Sequence, residues 1–278
     1  MALSHTPGDV SIRPRHPSFD LEQALASDWH GGDAFRTAFF NALSLTFPVG
    51  EKYFIDSVRL FQKDIVEPKL SQEIRGFIGQ EAIHRREHAK YNDLLCAARG
   101  YRLADIEDGL AARVASRQQT SRYAQLMETA AFEHLTAIFA QGVLTDPAWL
   151  DGADPTLAAM WRWHAIEEAE HKAVTFDVYA AAGGNMDWLR KALLPVTRVF
   201  LEDILRGVWM MLKSDGRHRD PRVWLGGMNW LFGRPGVLRR LFPQWREFLR
   251  PDFHPWDLDN RALIDAWKAD EEPQLLAA

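Results

Sequence analysis

Apolar residues recur every three or four positions through long segments of this chain, which is the period of an α-helix with one buried stripe. Strand-like alternation between turn dipeptides is hard to find, so the chain reads as all-α. Five long segments carry the pattern: Asp33 to Asp64, Pro68 to Arg99, Ser121 to Leu144, Asp154-Pro155 to Gly183-Gly184, and Asp187 to Lys213. Pro48 must kink the first segment or open a second helix as a first-turn residue. A shorter amphipathic piece spans Leu103 to Ser116. Beyond Arg217, the pairs and clusters Gly226-Gly227, Gly233-Arg234-Pro235-Gly236, Pro243, Pro251 and Pro255 break the pattern into short helices and extended links. The expected organisation is an arm over 1–32, a helical bundle over 33–186 and a C-terminal helical extension over 187–278 that packs on the bundle as one structural unit.

With 278 residues, 47% hydrophobic and 26% charged, the chain has the balance of a globular protein with a single large core. The only cysteine, Cys96, excludes an intrachain disulfide, an all-cysteine zinc site and an iron–sulfur centre held by this chain alone. It fits a reducing, cytoplasmic setting. The N-terminal stretch to Phe19 carries Arg13, Pro14, Arg15 and Pro17 but no apolar run, so it reads as a loose or docked arm and not as a secretory signal. The longest apolar stretch, Val223 to Gly233, is too short to span a bilayer. The net charge of −5 argues against nucleic acid as a partner. Between Trp188 and Arg250, however, 13 Lys and Arg face 5 Asp and Glu, interleaved with tryptophans. This region is expected to cap the acidic bundle and wall the approach to its site, with peripheral membrane contact as the second reading.

The chemistry lies in glutamates and histidines at helical spacing. Glu81 and His84 stand three apart on one helix face, with His88 a turn beyond; Glu168 and His171 repeat the relation, with His164 a turn before. Segments one and three each place a lone glutamate on an apolar stripe: Glu51 beside Phe54, Ile55 and Val58, and Glu133 among Ala130 and Ala137. Glu128 competes with Glu133 and ranks below it because its neighbours are less apolar. The order Glu, Glu-x-x-His, Glu, Glu-x-x-His is the ligand set of ferritin-like di-iron and di-manganese four-helix bundles. Four carboxylates buried together repel unless protonated or metallated, and two divalent cations neutralise them. The competing reading is a buried salt-bridge network with Arg59, Arg75, Arg85 and Arg86, in which the histidines would have no part. His88, His134 and His164 are expected to support the site from behind the ligands, and Glu167 or Glu170 to shift into it.

The segments FPVGEKYF, GQEAIHRREH, AAFEHLTA, WHAIEEAEHKAVTFDVY and RPDFHPWD resemble the bacterial family of predicted metal-dependent hydrolases, a ferritin-like di-metal group. The resemblance covers roughly Asp33 to Asp257 and implies a ferritin-like bundle with Glu51, Glu81, His84, Glu133, Glu168 and His171 as metal positions. Such a hard, oxygen-rich donor set suits two divalent ions, iron first and manganese or zinc after it. Phe54, Phe77, Phe132, Trp161, Trp163 and Phe176 near the motifs favour an oxygen-activating oxidase or oxygenase acting on an apolar or aromatic small molecule, with an electron donor as a candidate partner. Metal-dependent hydrolysis through a bridging water is the alternative. A non-catalytic metal-binding or membrane-surface protein is the third reading, and a dimer is the expected assembly if the chain self-associates.

Overall fold

The computed structural model describes residues 4–102 and 104–277. The first three residues of the arm, the expected helix start at Leu103 and the last residue lie outside them. A single helical turn, α1 (Glu22–Leu25), leads to α2 (Ala34–Arg59), where Asp33 accepts from the N–H groups of Phe35 and Arg36 and so fixes the start. Pro48 does not open a second helix; α2 runs through it without interruption. Proline removes the N–H that would bond the carbonyl four residues back, here that of Ser44, and the Asn92 side chain donates to that carbonyl at 3.0 Å. The lost backbone bond is thus replaced from the neighbouring helix.

That neighbour is α3 (Pro68–Arg99), which opens with Pro68 behind the Glu67 cap and ends at Gly100 in the left-handed region, φ 68°. The short α4 (Ala104–Arg117) lies against α2. Ser121 caps α5 (Arg122–Thr145), and Asp154 caps α6 (Pro155–His171). Helices α2 and α3 pack as one pair and α5 and α6 as another, and contacts of α2 with α5 and of α3 with α6 close the four into a bundle. The fourth segment is not one helix. It breaks at Lys172 and Ala173 directly after His171 and resumes as α7 (Val174–Ala181). At the break Lys172 donates to the Leu258 carbonyl and the Asn260 side chain, and its ammonium lies over the Trp256 ring.

The long α8 (Met186–Ser214) covers α2 and α5 from outside. After it come α9 (Pro221–Phe232), α10 (Val237–Glu247), α11 (Arg261–Asp270) and α12 (Glu272–Ala277). Trp230, Leu231, Val237, Leu241, Phe248, Ile264 and Trp267 are all buried, so this layer extends the core. The arm is docked as well: Ser4, Thr6, Arg15 and Phe19 are buried. It crosses α3 where two glycines make room, since a Cβ on Gly76 would stand 2.4 Å from the Ile12 carbonyl oxygen and one on Gly79 2.4 Å from Pro14 Cγ. Among the described residues there is no sheet, only an isolated bridge between His30 and Ala153. No described helix is long and apolar enough to cross a membrane.

Candidate metal centre

The four bundle helices bring Glu51, Glu81, His84, Glu133, Glu168 and His171 to one point in the interior, each at most 3% exposed. His171 Nε2 lies 3.2 Å from Glu81 Oε1 and 3.6 Å from both Glu133 Oε2 and Glu168 Oε2. His84 Nδ1 lies 3.7 Å from both Glu81 Oε1 and Glu168 Oε1. Apart from His84 Nε2, which faces Glu167, nine buried side-chain atoms without a hydrogen-bond partner belong to these six residues, among them every carboxylate oxygen of Glu51, Glu81 and Glu133. Unpaired buried polar atoms each cost on the order of 1–3 kcal/mol. So many converging on one point fit cations that the six residues would share.

The electrostatics agree. Burial and the nearby Glu81 hold the Glu51 carboxyl well above the usual carboxylate range, and burial together with Glu168 does the same to Glu133. Against their burial, the adjacent His171 and His84 rings keep Glu81 low, and His171 and His164 keep Glu168 low. Glu167 and Glu81 overcome burial to raise His84 to about 10, and Glu168 raises His171 well above its ordinary value. Without metal the cluster therefore balances its charge with two neutral acids and two imidazolium rings. Two divalent ions replace those four protons charge for charge.

The groups behind the cluster decide which ring nitrogens are free. The Gln80 amide nitrogen donates to Glu170 Oε2 (2.8 Å) and to the Arg13 carbonyl (3.2 Å), so its oxygen accepts from His171 Nδ1 at 3.0 Å. In the neutral ring that leaves Nε2 bare toward the carboxylates, where a metal would replace the proton that the imidazolium carries there. Glu167 Oε2 stands 3.0 Å from His84 Nε2 and leaves Nδ1 to the cluster.

His164 sits closer to the chemistry than a supporting role requires. Ser44 spends its single proton on Asn92 Oδ1 (2.7 Å), so it accepts from His88 Nδ1 (2.9 Å). His88, kept neutral by burial, then accepts at Nε2 from His164 Nδ1 (2.9 Å). The remaining His164 nitrogen, Nε2, is bare and lies 3.1 Å from Glu168 Oε1. Two lone pairs at that distance need a proton or a metal cation between them. Donor atoms of Glu51, His84 and His164 all fall within 4.8 Å of one another, as do those of Glu81, Glu168 and His171. The one-turn spacing of His164 and Glu168 was visible in the sequence, but the hydrogen-bond chain through Ser44 and Asn92 was not.

Other candidates fall elsewhere. His134 points away from the cluster and stacks near Phe248 and Phe253, with ring centroids 4.6 and 5.4 Å distant. Phe176 likewise meets Phe248, Phe253 and His254. Glu128 accepts from the Tyr53 hydroxyl and pairs with Arg117 outside the cluster. Glu170 is held by Arg15, Gln80 and Lys268. Arg85 donates to the Pro48 carbonyl and Arg86 pairs with Glu87, so neither neutralises the cluster. A second group, His5, Asp177 and His254, lies near the surface. There His254 Nδ1 accepts from the Trp256 N–H, which puts the ring proton on Nε2 facing Asp177, and the group is a hydrogen-bonded clip.

A cavity of about 900 Å³ opens between α2, α4, α5 and α8 and reaches Glu51. Its inner wall is Phe47, Phe54, Phe132 and Phe200; Trp188 and Lys191 also line it. Around the cluster, Phe77 meets the His171 ring and Trp163 the His84 ring edge to face, each at 5.0 Å.

Fold and site together define an all-helical bundle protein with a buried glutamate–histidine centre suited to divalent metal. The chain belongs to the family of predicted metal-dependent hydrolases, whose family model matches residues 13–259. That description agrees with the hydrolytic alternative better than with the oxidative reading placed first. No curated protein and no solved structure matches the chain.

Proposed function

We propose that this protein is a two-metal enzyme, with Glu51, Glu81, His84, Glu133, Glu168, His171 and His164 as ligands, that oxidises an apolar or aromatic small molecule with dioxygen. The observation that carries the reading is the aromatic cavity ending on Glu51. It offers an apolar substrate a place beside the ligands. When bound, iron or manganese ions would supply the electrons for dioxygen, or, in a hydrolytic reaction, would polarise a water. The chain's own part is to orient the rings through Gln80, Glu167 and His88, and to hold the substrate against Phe54 and Phe132. Hydrolysis is the second reading, and the family description favours it.

The test loads the protein anaerobically with Fe(II), and in parallel with Mn(II) or Zn(II). Oxygen uptake is then followed after air is admitted, and cleavage of a panel of apolar esters is assayed. Oxygen uptake at about one dioxygen per loaded chain, with no ester cleavage, supports oxidation. Ester cleavage that depends on the metal and needs no oxygen overturns it in favour of hydrolysis.

A further inference from the structure

Arg15 lies on the arm, outside the bundle, and its buried side chain engages three carboxylates. Its backbone N–H and its Nη1 donate to Glu167 Oε1 at 3.1 and 3.2 Å. Nη1 and Nη2 grip the two oxygens of Glu170, each at 2.8 Å. Nε donates to Glu272 at 2.5 Å, and the guanidinium carbon lies 5.2 Å from the Trp267 ring centroid. Its side chain is only 6% exposed. Such a bidentate, desolvated arginine fixes its carboxylate partners in orientation as well as in charge.

Those two partners stand behind the two histidines of the Glu-x-x-His pairs. Glu167, clamped through Oε1, presents Oε2 to His84 Nε2 at 3.0 Å. Glu170, clamped through both oxygens, accepts from the Gln80 amide, whose oxygen meets His171 Nδ1. The Arg13 carbonyl, two residues from Arg15, is the other acceptor for that amide. One residue thus terminates both relays, and each relay sets which nitrogen of its histidine is left bare toward the carboxylates.

We propose that Arg15 is the positioning residue for the metal centre: the docked arm locks His84 and His171 in the ligating tautomer and orientation. This rests on the metal reading of the cluster. Groups that orient metal-bound histidines typically change metal affinity 10–100-fold when removed, although Arg15 acts one step further out.

The experiment measures Mn(II) and Fe(II) affinity anaerobically by competition with a chromophoric chelator, at a temperature where circular dichroism shows each variant folded. Arg15→Met is expected to weaken binding roughly tenfold or more, and Arg15→Lys to recover part of the loss by restoring the charge without the fork. Gly79→Val pushes on Pro14 and should shift affinity in the same direction without touching a polar group. Glu272→Gln removes an Arg15 contact that leads to neither histidine, and should stay within about twofold of wild type. Wild-type affinity in Arg15→Met and Gly79→Val, with wild type itself binding two ions, overturns the positioning role alone. An equal loss in Glu272→Gln also overturns it, because arm docking in general would then account for the effect. A wild-type protein that binds no metal overturns the metal reading and this inference together.

Discussion

Glu133 and Glu128 share α5 but meet different surroundings. Glu133 is 1% exposed with both oxygens unpaired beside His171, whereas Glu128 is bonded to Tyr53 and Arg117. Glu133→Gln should therefore lose at least half of the bound metal while Glu128→Gln retains it, as read by metal analysis after anaerobic loading. The reverse pattern would exchange their roles. In the same assay His164→Phe should lose metal too, since its bare nitrogen faces Glu168; full retention would return His164 to a supporting place. Much of this was legible beforehand. A three-residue spacing puts Glu81 with His84, and Glu168 with His171, on one face whatever the rest of the chain does, and small neighbours marked Glu133. His164 and Arg15 were legible only in part, because what each does depends on partners far away in sequence: Ser44 and Asn92 for one, Glu167 and Glu170 for the other.

At the scale of elements, the helical period located the long helices, but local signals left one joint open and misjudged another. Pro48 is carried inside α2 because Asn92 supplies the donor that the proline lacks, and the fourth segment breaks after His171 where Lys172 is drawn to the chain near Leu258 and Asn260. Both outcomes rest on long-range contacts, which a pattern within one segment does not contain. The face of α5 opposite the cluster carries a testable consequence. Burial pushes His134 down to about 3, while an unfolded histidine titrates near 6.5. Below pH 6.5 the unfolded chain takes up this proton and the folded chain does not, so stability that is complete above pH 6.5 is lost as pH falls toward 3. At pH 4.5 the loss is roughly 2–3 kcal/mol. His134→Leu should shrink the difference between urea unfolding at pH 7.5 and pH 4.5 by about that amount. An unchanged difference would show that His134 is not buried in its neutral form.

For the whole molecule, the C-terminal layer acts first as a lid on the core. Arg239 donates to the carbonyls of Phe232 and Gly233, and Arg240 pairs with Asp146, so these two basic residues are engaged within the protein. Truncation after Gly216 would remove Trp230, Val237, Leu241, Phe248 and Trp267 from the core, at roughly 1.5–3 kcal/mol for each large side chain, and the shortened protein should aggregate or melt far earlier. Exposed Trp188, Leu225, Phe232 and Phe242 remain on this layer. Salt-sensitive sedimentation with anionic vesicles, abolished by Arg239→Glu and Arg240→Glu without loss of thermal stability, would show that the layer serves a membrane surface instead. The sequence separated basic from acidic halves of the chain but could not tell which of the aromatic residues turn inward. The central claim is that one buried point gathers carboxylates from four helices to hold two cations. Metal analysis of anaerobically loaded wild type, Glu81→Ala and His171→Ala tests it most directly: two ions per wild-type chain, at most one in either variant, and nearly unchanged helix content are predicted, whereas full metal retention in both variants would contradict it.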